Sequence, residues 1–483
     1  MSRLDDELAR LRTLVDEGSL ADGAGRIGVE LELHLIDAHA RPALCNDRII
    51  EQLAASGHDV QSELARFNLE VNLPPVALSD RPLTTVRDTL DGARRAASRV
   101  LPGVTAVSVG TLPTLEHDDV TADAISDRGR YREIDAGIVG ARGGSIALAV
   151  DGARAGGEQL DVTLGSIALE AAATSLQVHL DLPADGFCRA WNVAQAIAAL
   201  QVAVAANAPV LLGRRLWHES RVPLFEQLID VRTAAQRAPG AVDAPPPRVW
   251  FGARWIEHPA DLFAENVTHF RAPLVAATTE RAPDGDPDAL AELVLHNGTV
   301  WRWNRPVYAR IADRPTLRIE NRVLSAPPTA TDAAADTALF VGLVAGLRDD
   351  ADRLTRDLRF ADADANFRSA SELGLAAPLR WPGVRGRATA AELLVDRLIE
   401  VAADGLDALG VPGDESGAAL DVIAGRASEG RNGATWQLAT LAEEELHHDR
   451  RTALQRMLLR YRDLQEEGEP VHRWPWPSSP AHP

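Results

Sequence analysis

The sequence predicts an α+β protein: a sheet of short strands within residues 1–330, helices over 331–465, and a Pro- and Trp-rich tail over 466–483. Three observations predict it. Four runs alternate apolar and polar residues with period two, as half-buried strands do. From Thr331 onward the apolar spacing turns helical, with candidates at 332–347, 349–359, 389–408, 416–426 and 434–462. Finally, 46% hydrophobic and 25% charged residues over 483 positions supply a large core and exclude wholesale disorder.

Taken in order, Leu4, Leu8, Leu11 and Val15 lie at helical spacing and predict an amphipathic helix over 3–17. Gly23 and Gly25 break the chain before the first alternating run, 27–33. A second run covers 67–73 and is expected to stop at Pro74-Pro75. Residues 82–101 read as helix. Segment 186–212 is long and apolar, but Arg189, Asn192, Gln195, Gln201 and Asn207 interrupt it, so a buried core helix is expected rather than a membrane span. Strands follow at 175–182, 248–255, 298–303 and 316–323, with surface loops at 236–247 and 282–288.

Composition narrows the function. The formal net charge is −20, from 70 acidic against 50 basic residues, which argues against a nucleic-acid partner. The charged start, Met1-Ser2-Arg3-Leu4-Asp5-Asp6-Glu7, has no apolar run behind it and predicts no secretory signal. All 50 basic residues are arginine. Without lysine, a P-loop and any Schiff-base mechanism are excluded, so phosphate must be held by Arg forks, metal ions or backbone N–H groups. Cys45 and Cys188 are too few for a disulfide framework and fit a reducing cytoplasm. Small-molecule substrates are expected as partners, with no membrane, and the sequence is compatible with a homo-oligomer.

The alternation carries the chemistry. In a strand, residues i and i+2 share a face. Glu30 and Glu32 therefore share one face, as do Asn68, Glu70 and Asn72, then Gln177, His179 and Asp181, then Arg318, Glu320 and Arg322. Each has an apolar opposite face for the core. A solvated sheet side would give such alternation. Yet its polar positions here are Glu, Asn, Gln, His and Arg rather than Thr and Ser, and Glu is a poor strand former. If the strands are neighbours, the carboxylates converge, and a divalent cation cluster would relieve their repulsion. Arg302, Arg305, Arg318 and Arg322 sit in or beside the last strands, where they could grip a phosphate or carboxylate, or could pair structurally with the glutamates.

These motifs resemble a known family. Ile27-Gly28-Val29-Glu30-Leu31-Glu32, Phe67-Asn68-Leu69-Glu70-Val71-Asn72-Leu73-Pro74-Pro75, Leu176-Gln177-Val178-His179 and Leu317-Arg318-Ile319-Glu320-Asn321-Arg322 are similar, in this order, to the glutamate–cysteine ligase family. This is a carboxylate–amine ligase group with the glutamine synthetase catalytic fold. Asn207-Ala208-Pro209-Val210-Leu211-Leu212-Gly213, Ser220-Arg221 and Gly129-Arg130-Tyr131-Arg132 resemble further family segments.

The resemblance implies a curved antiparallel sheet forming a funnel, with helices on its outer face. It implies ATP and Mg²⁺ or Mn²⁺. Glu30, Glu32, Glu63, Glu70, His179 and Glu320 become the expected metal ligands. Arg302, Arg305, Arg318 and Arg322 become the expected nucleotide-binding residues, and Arg132 and Arg221 the holders of a substrate carboxylate. Glu30, Glu70 and Arg322 carry the catalytic expectation. The implied reaction phosphorylates a carboxylate, that of glutamate by expectation, and an amine such as cysteine then displaces phosphate to give an amide.

Two rivals use the same residues: a metal-dependent amidase, and a non-catalytic ligand-binding relative. The aromatic stretch Trp301-Arg302-Trp303-Asn304 is more than a small thiol amino acid needs, so the acceptor stays open. His34, His39 and His58 read as surface or strand-edge groups, and His447-His448 as part of a solvated helix face.

Overall fold

The computed structural model describes residues 3–477 apart from 22, 24, 182, 239–240, 242–243, 271–286 and 312–313. Parts of the expected loops at 236–247 and 282–288, the last residue of the 175–182 strand and the end of the 466–483 tail lie outside the described residues.

The alternating runs form one seven-stranded sheet. Its strands are β1 (Arg26–Asp37), β2 (Val60–Ser62), β3 (Asn68–Ala77), β4 (Val104–Val107), β5 (Leu176–Asp181), β6 (Asn304–Ile311) and β7 (Arg314–Asn321). They run in the order β6-β7-β5-β1-β3-β2, with β4 also on β1, and every pairing is antiparallel. The sheet curls into a half-barrel flanked by helices, with a helical C-terminal region. Val29, Leu31, Val71, Val178, Leu180 and Ile319 on its apolar face are all buried. The helices Pro82–Val100, Phe187–Val204 and Ala330–Leu347 pack on that side, which leaves the polar face to line the concavity.

The strand expected to stop at Pro74-Pro75 runs through them to Ala77. Ile27 pairs with Val76 and Val29 with Leu73, so Gly28 alone faces both prolines and the ladder carries a bulge. Proline has no N–H to donate, and a bulge is where a strand tolerates that loss. The runs at 248–255 and 298–303 shrink to Val249–Trp250 and Trp301–Arg302, which pair with each other in parallel.

The helix over 186–212 is Phe187–Val204, almost wholly buried. Ala330–Leu347 is the one described helix long and apolar enough to cross a membrane, and it packs against Ile399–Ala408 and Gly413–Glu429 inside the molecule. The expected helix over 434–462 is two, Gly433–Glu444 and Arg450–Glu467, because the Asp449 side chain accepts the Thr452 N–H at 3.0 Å and starts a new helix. Phe360–Leu373 is a helix that periodicity did not reveal. In the tail, Trp474 is buried edge-on to Trp436 and Tyr461, at ring distances of 5.1 and 5.0 Å.

Candidate active site

Register converts the alternation into a constellation. Glu32 stands opposite Glu70, which stands opposite Gln61; Glu30 stands between Asn72 and Gln177; Glu320 stands between His179 and Arg305. All of these side chains project from the concave face. All but Asn72 line a cavity of about 380 Å³ together with Glu63, Arg130, Tyr131, Glu170, Phe225, Trp301, Arg318 and Arg322.

Two acidic groups form inside it. In Glu30, His179 and Glu320, and again in Glu32, Glu63 and Glu70, one ligand atom from each residue lies within 4.8 Å of the others. The first group is embedded in cations. Arg305 and Arg322 both donate to the Glu320 carboxylate, Arg322 from 2.6 Å. Burial alone would raise Glu320, but these guanidiniums, with His179, hold it well below the usual carboxylate range. Arg318 Nε donates to His179 Nδ1 at 3.1 Å, so His179 carries its proton on Nε2 and donates it to Glu30 at 2.8 Å.

The second group has mostly neutral partners. Gln61 donates to Glu70, the Leu64 N–H to Glu63 at 3.2 Å, and the Ser175 N–H and Gln177 amide to Glu32 at 2.7 and 3.0 Å. Burial, then Glu30 and Glu32, pushes Glu70 up to about 8. Burial together with Glu70, Glu32 and Glu170 raises Glu63 well above the usual range. Carboxylates this close and this poorly neutralised fit a hard divalent cation. Three oxygens in the second group suit Mg²⁺ or Mn²⁺, and the first group would take one once His179 gives up its Nε2 proton.

A second cavity of about 450 Å³ meets the first at Glu30, His179 and Arg318. Ala21, Val29, Leu73, Pro74, Pro75 and Ile311 give it apolar walls, with Arg26 and Arg314 beside them. A larger cleft of about 970 Å³ lies elsewhere, but its arginines are already paired: Arg41 with Asp119, Arg214 and Arg450 with Glu158, Arg451 with Glu116.

Three expected residues lie elsewhere. Arg302 is fully buried outside the cavity, donating to Glu265 and Asn266 at 2.9 Å and stacked over Trp250. Strand alternation turns Trp301 toward the cavity and Arg302 away from it, which makes Arg302 a structural cation. Arg132 lies on the outer surface, paired with Asp127 at 2.8 Å, and Arg130 lines the cavity instead. Arg221 is buried against Glu219 at 3.2 Å and does not line the cavity, although its charge is felt by Glu32 and Glu170.

Among the histidines, His34 departs from the expected surface or strand-edge position. His34 is fully buried at the closed end of the concave face, opposite Asn68, whose amide donates to its Nδ1 at 3.2 Å. His39 is exposed and His58 half-buried. His447 and His448 follow the end of their helix rather than sit on its face.

Sequence reasoning passed over Gln61, Arg130, Glu170 and Phe225. Glu170 did leave a signal: it is a lone acid inside the apolar run Ile167-Ala168-Leu169-Glu170-Ala171-Ala172-Ala173.

The concave face of this antiparallel half-barrel thus gathers five glutamates, one histidine and several arginines. A family model, Glutamate-cysteine ligase family 2 (GCS2), matches residues 26–456, and the chain belongs to that family. It is a glutamate–cysteine ligase-like enzyme. Among solved structures, the glutamate–cysteine ligase of Francisella tularensis in complex with AMP is similar, at 13% identity and a TM-score of 0.55 over 93% of this chain and 91% of that one. A bifunctional glutathione synthetase of Pasteurella multocida aligns with 95% of this chain and 55% of its own, at 10% identity and a TM-score of 0.47. No curated protein sequence matches the chain.

Proposed function

We propose that the chain is an ATP-dependent ligase that joins the γ-carboxylate of glutamate to an amine through an acyl phosphate. The observation that carries this reading is the meeting of two acidic groups with Arg305, Arg318 and Arg322 in one cavity. Glu30, His179 and Glu320 would hold one Mg²⁺ or Mn²⁺ and Glu32, Glu63 and Glu70 another, and such ions neutralise the oxygens of a transferring phosphoryl group.

The apolar second cavity suits the nucleoside. It opens onto Arg318 and His179, which aims the phosphates at the acidic groups. A glutamate oxygen attacks the γ-phosphorus, and ADP leaves with the electron pair of the broken P–O bond. Arg318 and Arg322 meet the charge that develops on the phosphoryl oxygens. The amine nitrogen then forms the C–N bond and gives up a proton to the phosphate, which leaves with the electrons of the acyl C–O bond. Arg130 at the rim takes over the substrate-carboxylate role expected of Arg132.

The test is release of ADP and phosphate from ATP in the presence of Mg²⁺, glutamate and a panel of amines. Turnover that requires both glutamate and an amine supports the ligase. Amide cleavage without ATP consumption would instead make the protein a hydrolase.

A further inference from the structure

The part of the acidic cavity not shared with the second cavity has an apolar wall. Ile134, Ile167 and Ile229 are buried in it. Phe225 and Trp301 are half-buried and meet edge-on at 6.2 Å. Glu170 lies on a short 3-10 turn, Ala168–Ala172, in contact with the Arg221–Leu228 helix that carries Phe225. Its carboxyl group faces the cavity, belongs to neither acidic group, and accepts no hydrogen bond and forms no ion pair among the described residues, although the charges of Glu32, Arg322 and Arg221 reach it.

A carboxylate inside an apolar wall calls for a cation from the ligand. A flat aromatic wall beside it calls for an apolar group on that same ligand. We infer that the acceptor is a primary amine bearing a bulky apolar or aromatic group, its ammonium held by Glu170, which takes one proton so that the neutral nitrogen can attack the acyl phosphate, and its substituent on the Phe225–Trp301 wall. The inference rests on the ligase reading and names its acceptor class. It places small polar acceptors such as cysteine and ammonium at a disadvantage, because neither covers the wall.

The experiment is ADP release with ATP, Mg²⁺ and glutamate, comparing benzylamine and phenethylamine with cysteine and ammonium, in the full-length wild type and in the variants Glu170→Gln and Trp301→Ala. The aromatic amines should exceed cysteine in kcat/KM by about tenfold or more, the scale of a filled apolar pocket. Glu170→Gln should raise the KM for the aromatic amine by about tenfold through loss of a charge-assisted contact, and leave the KM for ATP and the Mn²⁺ dependence unchanged. Trp301→Ala should narrow the gap between aromatic amines and cysteine. Preference for cysteine or ammonium overturns the inference and leaves the ligase reading standing. A changed Mn²⁺ dependence in Glu170→Gln also overturns it, because Glu170 would then be a metal ligand. Absence of ADP release with every amine overturns both.

Discussion

Glu32 and Glu70 face each other directly across the β1–β3 pair. Two buried carboxyl groups at such positions cannot both ionise without cost, which is part of why Glu70 is pushed up to about 8, and only neutral groups reach this pair by hydrogen bonds. The sheet therefore holds strain that a divalent cation would relieve. Glu70→Gln should stabilise the protein in EDTA by about 1 kcal/mol, roughly 1–2 °C in Tm for a chain this long. It should also shrink the rise in Tm that Mg²⁺ or Mn²⁺ gives the wild type. Thermal melts with and without each cation check this. A variant less stable than wild type in EDTA would contradict it.

Glu320→Ala should behave in the opposite way. Its carboxylate is gripped by Arg305 and Arg322, whose side chains are only 21% and 19% exposed. Removal strands two guanidiniums in the cavity, so stability should fall by about 3 kcal/mol. ATP-dependent ligation should be lost as well. Urea unfolding beside ADP release checks both. Normal turnover in this variant would refute the site.

Much of this was legible because strand period two and the apolar core say the same thing. Residues alternating with Val29, Leu31 and Val178 had to face away from the core, so the acidic face could be read before any pairing was known. Register could not be read: nothing local says that Glu320 lies beside His179, since these residues, 141 positions apart, meet only when β5 and β7 pair. Arg302 and Arg132 were misplaced for a related reason. A short motif gives residue order, and whether a side chain turns inward depends on a two-residue strand or the first turn of a helix. The break at Asp449 escaped the reading of 434–462 as one helix, because apolar spacing continues across it while the cap is a single side-chain contact to Thr452.

Gly405 should tolerate no side chain. A Cβ there would lie 2.0 Å from the Gly342 carbonyl oxygen and 2.6 Å from the Gly346 nitrogen, where the Ile399–Ala408 and Ala330–Leu347 helices touch backbone to backbone. Helices this close must separate to admit a methyl group. Gly405→Ala should lose about 3 kcal/mol, at the upper end for overpacking. Chemical denaturation measures it, and an unchanged midpoint would contradict the packing. The KM for ATP in the folded fraction should not move, because the contact lies behind the sheet.

Glu158 should set part of the acid limit of stability. It accepts the Arg215 N–H and an Arg214 side-chain N–H at 3.0 Å, and a guanidinium N–H of Arg450, the first residue of the Arg450–Glu467 helix, at 2.9 Å. Burial opposes the charge, but these donors win and depress the group from an ordinary 4.5 to about 2. Because the folded state binds its proton only at lower pH, the stabilisation is complete above about pH 4.5 and is lost as pH falls toward about 2. Glu158→Gln removes this dependence. The Tm difference between wild type and variant should be largest above pH 4.5, shrink steadily below it and vanish near pH 2. A difference that stays constant down to pH 2 would mean that these three donors do not hold the carboxylate.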